Sequence, residues 1–230
     1  MSPIIRVVDL WKQYSDDDQD GIALRGTNLE VMSGDIIALF GKSGSGKTTL
    51  LNLIAGLDKP TRGFIEINGQ NIEAIGENGR TELRRSRIGF IFQFFNLLPT
   101  LTAFENVLFS LELIGKSDTD AVFESLREVN LHGKEHRFPH ELSGGEQQRV
   151  AIARAIVKKP AIILADEPTG NLDTSTGIQI LELLVSQCRV LGTTLIMVSH
   201  ALNTCRFANR FMEMTDGILI EKTTYEDFDF

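Results

Sequence analysis

With 230 residues, 42% hydrophobic and 23% charged, the chain is ordinary globular material, long enough for one large domain or two small ones. A net charge of -8 argues against a broad nucleic-acid-binding face. Cys188 and Cys205 show no metal-ligand spacing and read as reduced thiols on helices. No apolar run approaches the roughly 20 residues of a membrane-spanning helix, and residues 1–6 lack the basic start and apolar core of a signal peptide. A soluble, cytosolic chain is expected, one that would work at a membrane only through a partner.

In chain order, residues 4–10, 23–31 and 63–67 read as short, partly alternating strands with glycine-containing turns, which predicts an antiparallel sheet. Between the first two lies an acidic cluster, Asp16, Asp17, Asp18 and Asp20, read as a solvated loop. Residues 36–40, 161–165 and 195–198 are continuously apolar, the pattern of strands covered on both faces in a parallel sheet. Each of these runs ends on chemically loaded residues: Gly41, then Asp166 and Glu167, then Ser199 and His200. Ligands of open α/β sheets bind beyond the carboxyl ends of the strands, so three such ends point to one site. Residues 101–130 have a helical pattern and predict a helical part running on to the helix after Ser143. The expected fold class is α/β, with an antiparallel part beside the core.

The segment Gly41-Lys42-Ser43-Gly44-Ser45-Gly46-Lys47-Thr48 matches G-x-x-x-x-G-K-[ST], after a predicted strand and before a helix-competent run starting at Thr49. The glycines let backbone N–H groups wrap a β-phosphate, Lys47 offers a point charge to the β- and γ-phosphates, and the Thr48 hydroxyl suits Mg²⁺. Asp166, at the end of a buried strand, would be costly unpaired, and a magnesium ion removes that cost. Glu167, one residue farther out, can orient and deprotonate an attacking water. His200 closes the third strand and could donate a hydrogen bond to the γ-phosphate. Gln93 follows another strand that ends near Phe92; its amide oxygen could touch magnesium or the water. Phe94, Phe95, Leu97 and Leu98 are unusually apolar for a loop and read either as core or as a docking groove for a partner helix.

Leu142-Ser143-Gly144-Gly145-Glu146-Gln147-Gln148 looks like a second phosphate-binding helix start, with a serine at the cap and two glycines baring backbone N–H groups. Two such sites in one small domain suggest that two copies close around nucleotide.

Taken together, these residues resemble the ATP-binding subunit of ABC transporters over about residues 4–221. The resemblance rests on the ordered set GKSGSGKT, Gln93, LSGGEQQ, ILADE, Asn171-Leu172-Asp173 and His200. It implies a P-loop NTPase with a mixed, largely parallel core sheet of the RecA type and an antiparallel β part within residues 1–92 and 158–230, and a helical signature subdomain over about 93–157. It implies a homodimer that sandwiches two ATP molecules and Mg²⁺. In that arrangement the phosphates of one copy, held by Gly41, Ser43, Gly44, Ser45, Gly46, Lys47, Thr48 and Thr49, meet Ser143, Gly145 and Glu146 of the other. Asp173 would link the two sites, and Tyr14 would stack on adenine, with Trp11 as the alternative because the 15–20 spacer is long and acidic. Glu167, His200 and Gln93 carry catalysis; Thr48, Gln93 and Asp166 carry the metal. The wording of residues 52–58, 92–99 and 164–173 is similar to the MacB and LolD group, with the FtsE type close by. That implies an ATPase that powers export, lipoprotein extraction or mechanotransmission, the alternative being a regulatory ATPase that gates a partner without transport. The expected partner is a separate permease of the MacB/FtsX type, docking near residues 94–98, because no membrane segment follows Phe230. The chain would then be peripheral on the inner face of the cell membrane. Nucleic-acid-directed relatives carry long insertions or a second such domain, so no nucleic acid is expected.

Overall fold

The computed structural model describes residues 2–14, 21–199 and 202–223. The alternating N-terminal segments form an antiparallel sheet of β1 (Ile5–Gln13), β2 (Ile22–Val31), β4 (Arg62–Ile67) and the short β5 (Gln70–Asn71), in the order β2-β1-β4-β5. The continuous apolar runs become β3 (Ile36–Phe40), β7 (Ile162–Asp166) and β8 (Thr194–Val198). With β6 (Ile88–Ile91), β9 (Arg210–Thr215) and β10 (Ile218–Lys222) they form a second sheet in the order β10-β9-β3-β8-β7-β6, parallel except for the β9–β10 hairpin.

Why the runs do not alternate is visible in the packing. Ile163, Ala165, Leu195 and Met197 join one core cluster, while their neighbours Ile162, Leu164, Ile196 and Val198 join the other. The first cluster is closed by helices α3 (Ala103–Glu112), α4 (Thr119–Glu128), α5 (Gly144–Ile156) and α6 (Thr174–Leu191). The second is closed by the antiparallel sheet and by Leu50, Leu51, Leu53 and Ile54 of α1 (Lys47–Ile54). Val150, Ile152 and Ile156 of α5 are buried, and each contributes about 1.5–3 kcal/mol. The helical stretch of 101–130 splits at a turn: Gly115 is left-handed (φ 73°), and Thr102 and Asp118 cap the two helices that result. A helix that the apolar pattern does not announce, α2 (Gly76–Ser86), lies between β5 and β6. Cys188 is buried on α6, where burial pushes its thiol up to about 12.

The two sheets meet at an ionic junction. Arg210 on β9 donates to the Glu30 carbonyl of β2 (2.7 Å), to Asp35 (2.8 Å) and, through a bidentate pair, to Glu221 on β10. Asp35 also accepts from the Met32 N–H (2.9 Å), so its carboxylate shapes the β2–β3 turn. Removing the guanidinium would leave a mostly buried carboxylate without its cation. Arg210→Met should cost about 2 kcal/mol and lower the urea midpoint without changing the m-value; a midpoint equal to the parent's would make the junction energetically idle.

Candidate nucleotide site

The glycine loop runs from β3 into α1, and its shape admits no side chain at two points. Gly41 has φ 146° and Gly46, the residue that caps α1, has φ 109°. A Cβ on Gly41 would lie 2.2 Å from the Met214 carbonyl oxygen, and one on Gly46 2.4 Å from that of Ala23. The loop encloses a cavity of about 160 Å³ lined by Ser43, Gly44, Gly46, Lys47, Thr48 and Thr49, with Ala23 and Glu167 at the same space. Ser45 is buried with its hydroxyl unpartnered among the described residues, and its backbone carbonyl accepts from the Gly217 N–H.

Lys47 is buried, and its ammonium donates to the carbonyls of Gly41 (2.7 Å) and Lys42 (2.8 Å). Burial pulls its pKa down, while Glu167 and Asp166 push it back up. Two of its three donors are thus spent on holding the loop, and one is left for a ligand. The Thr48 hydroxyl donates to Asp166 at 3.0 Å, which brings two hard oxygen groups together at the end of β7. Neutral and anionic oxygens so placed fit a magnesium ion; a site made only of His, Cys, Asp and Glu is absent among the described residues.

Glu167 sits beyond β7 in a left-handed conformation (φ 47°), with its N–H on the Val198 carbonyl (3.1 Å). A Cβ on Gly170 would meet the Gln93 amide nitrogen at 2.9 Å and a Glu167 carboxylate oxygen at 3.2 Å, so both side chains converge over that glycine. Among the described residues the Gln93 amide has no hydrogen-bond partner, while the Gln93 carbonyl accepts from Asn171 (2.8 Å). His200 lies outside the described residues.

Tyr14 is 61% exposed at the end of the first sheet, with the Lys12 ammonium 4.7 Å over its ring. Lys12 also pairs with Asp58 at 2.8 Å. Trp11 is half-buried and its indole N–H is taken by Asp9 (2.8 Å).

The residues of the second phosphate-type motif stand elsewhere. Ser143 caps α5 in a capping box: its N–H donates to Glu146 (2.9 Å), and its hydroxyl accepts from the Glu146 N–H (3.4 Å). Lys134 pairs with Glu146 and, with the Ser143 N–H, holds its carboxyl below the usual range. Neither Ser143, Gly145 nor Glu146 lines the glycine-loop cavity. Instead the start of α5 packs on the start of α6: a Cβ on Gly145 would lie 2.7 Å from the Thr176 methyl. Asp173 caps α6, and hydrogen bonds from Thr176 and Ser175 hold its carboxyl well below the usual range.

The apolar loop after Gln93 divides by direction. Phe94 is 71% exposed and Leu98 is 40% exposed, whereas the Phe95 ring lies against Gly144 at the start of α5, and Leu97 packs on the core. The sequence offered a docking groove at this loop as one of two readings but did not show the residues that line it. The groove has a volume of about 360 Å³ and is lined by Phe90, Leu98 and Phe109 together with Arg84, Arg154 and Lys158. The signal was scattered over three segments and showed no local pattern. Sequence reasoning missed Gln148 and Arg154, both of which face backbone carbonyls: Gln148 donates to Pro168 (2.7 Å).

Comparison with known proteins agrees with this geometry. The family model described as "ABC transporter" matches residues 24–170. An uncharacterised ABC transporter ATP-binding protein of Mycobacterium tuberculosis is 43% identical, over 98% of this chain and 92% of that protein. The lipoprotein-releasing system ATP-binding protein LolD of Geobacter metallireducens is 42% identical, over 96% and 99% respectively. Among solved structures, the ATP-binding cassette MJ0796, a dimer in a post-hydrolysis state bound to ADP and Pi, superposes with a TM-score of 0.85 at 38% identity, over 95% of this chain and 97% of that one. The chain therefore belongs to the ABC transporter family, as an ATP-binding and ATP-hydrolysing subunit of the LolD/MacB-like kind.

Proposed function

We propose that two copies of this chain close head to tail on two ATP molecules, driving a separate membrane permease that performs export or lipoprotein extraction. The observation that carries the reading is the placement of Ser143 and Gly145. They form a phosphate-ready helix start, yet they line no part of their own chain's phosphate cavity. A cassette solved as a dimer, and relatives named for lipoprotein release, support it.

Within one copy, the N–H groups of Gly41, Ser43, Gly44, Ser45, Gly46 and the first turn of α1, including Thr49, wrap the phosphates. The third Lys47 donor meets the β- and γ-oxygens. Thr48 and Asp166, already 3.0 Å apart, with Gln93 beyond them, would hold Mg²⁺, which when bound neutralises charge between the β- and γ-phosphates. Glu167 takes a proton from the water that Gln93 helps to orient over Gly170, and His200 contacts the γ-phosphate. Tyr14 offers its open ring face to adenine, a role for which the tied Trp11 is less suited. Across the interface Ser143 and Gly145 meet the partner copy's γ-phosphate. Glu146 secures that helix start, and Asp173 links the two sites.

The permease, of the MacB/FtsX type, would place a cytoplasmic segment in the groove beside Phe94 and Leu98. Three basic side chains and no acidic one among the lining residues favour an apolar segment that carries a carboxylate. Lys158 in that groove is pulled down to about 8 by burial, and an acid beside it would push its pKa back up. This docking would make the chain peripheral on the inner face of the cell membrane. Among the described residues, no helix is long and apolar enough to cross one.

Glu167→Gln should lower ATP turnover by about 100-fold or more while keeping nucleotide affinity, and light scattering should then show an ATP-stabilised dimer; near-parental turnover would remove Glu167 from catalysis. Ser143→Arg should leave ATP affinity of the monomer within about twofold but abolish ATP-dependent dimerisation, and a dimer that forms as before would refute the sandwich. In a membrane-binding assay with the permease, Phe94→Asp with Leu98→Asp should release the chain while its thermal midpoint stays within a few degrees. Binding equal to the parent's would place the docking surface elsewhere.

A further inference from the structure

The loop after Gln93 contains two successive non-glycine residues in the left-handed region, Phe95 (φ 60°) and Asn96 (φ 48°). Asparagine tolerates that region, but a bulky aromatic residue does so only when something outside the turn holds it. Within the loop the only aids are Phe95 N–H to Phe92 carbonyl (3.3 Å) and Asn96 N–H to Phe94 carbonyl (2.6 Å), both from one side of the turn. The outside hold comes from α5. Arg154, in its last turn, donates one guanidinium nitrogen to the Phe95 carbonyl (2.8 Å) and the other to the Asn96 carbonyl. Burial lowers its pKa, and among the described residues no carboxylate pairs with it. A cation that forgoes a carboxylate to grip two consecutive carbonyls fixes both peptide planes at once, here with two separate nitrogens of one planar group.

The grip has two consequences within the same loop. Upstream, it fixes the chain two residues from Gln93, whose carbonyl is tied to Asn171 and whose amide stands over Gly170 beside Glu167. Downstream, it turns Phe95 onto Gly144 at the start of α5 and leaves Phe94 pointing outward. Arg154 also lines the apolar groove, so whatever fills that groove meets the side chain that holds the turn. We propose that Arg154 is a positioning residue that locks the Phe95–Asn96 turn in its left-handed form and thereby sets Gln93 against the catalytic glutamate. The catalytic half of this inference rests on the role given to Gln93 above; the structural half does not.

The test uses the full chain. Arg154→Gln should reduce kcat about tenfold with KM for ATP within about twofold, because the phosphate cradle is untouched. Hydrogen exchange of the amides of residues 94–98 should accelerate in the same variant. Glycine adopts the left-handed region freely, so adding Phe95→Gly, at the residue strained there, to Arg154→Gln should restore at least about half of the lost turnover. A purely structural arginine would not be rescued by a glycine in a different segment. Should Arg154→Gln fold poorly, Arg154→Met, which keeps the apolar stem and donates to neither carbonyl, carries the same test. Parental turnover and exchange in Arg154→Gln, or a loss that Phe95→Gly does not mend, overturns the proposal. Gln93→Ala separates the two readings. If that variant keeps full turnover, the role of Gln93 falls and with it the catalytic half, while amide exchange still reports whether Arg154 holds the turn.

Discussion

The glycine loop lies squeezed between two backbone carbonyls, that of Ala23 from the antiparallel sheet and that of Met214 from the parallel one. A methyl group at Gly46 or Gly41 would fall within 2.4 or 2.2 Å of them, far inside contact distance. The phosphate cradle is therefore shaped by both sheets at once, and its form depends on how they dock. Near that seam the Gly217 carbonyl accepts from the N–H of Arg25 (2.9 Å), the Gly217 N–H donates to Ser45 (3.0 Å), and Arg210 ties β2, β9 and β10 together. A shift of β9 against β2 would open or close the loop before any ligand arrived.

The signature helix α5 is the second element that reaches across layers. Its N-terminus carries Ser143 in a closed capping box, so the helix start is ordered without a ligand. Farther along, Gln148 grips the carbonyl of Pro168, one residue past Glu167, and Arg149 that of Val129 after α4. These bonds come from side chains to backbone, so they constrain loop paths rather than side-chain identities. Movement of α5 as a body would act on the loop after β7 and on the end of α4 together, the kind of packed, discrete link by which a docking event can reach a distant site.

What could be read from the sequence follows the range of the forces involved. The apolar runs of β3, β7 and β8 were legible because burial on both faces demands an unbroken run, and the loaded residues at their ends followed from the topology. Ser143 as a cap and the glycine loop were legible because local backbone chemistry dictates them. The helix α2, rich in charge with Arg80 as its one buried residue, gave no apolar period to read. The direction of the loop after Gln93 was equally hidden: Phe94 and Phe95 are chemically identical neighbours, and only the left-handed turn sends one outward and the other onto Gly144. Arg154 and Gln148 could not be paired in advance, because a carbonyl partner leaves no trace in residue type.

Glu167 shows why such hidden geometry matters to the chemistry. Its N–H continues the β7–β8 ladder by donating to Val198, so the chain is still held in the sheet at that atom. Its φ of 47° then turns the backbone abruptly, and its carbonyl closes a turn onto the Gly170 N–H at 3.1 Å. A non-glycine residue in this region costs about 1–2 kcal/mol. In the extended alternative, the side chain would keep the pleat of β7 and stand out from the sheet, away from Gly170. The strained turn takes the carboxylate off that axis and sets it beside the Gln93 amide. Glycine at this position would relieve the strain but remove the carboxylate, and an ordinary strand continuation would keep the carboxylate but misplace it. The strain at Glu167 is thus a cost of placing a charged group at the end of a strand that must remain hydrogen-bonded up to its last residue.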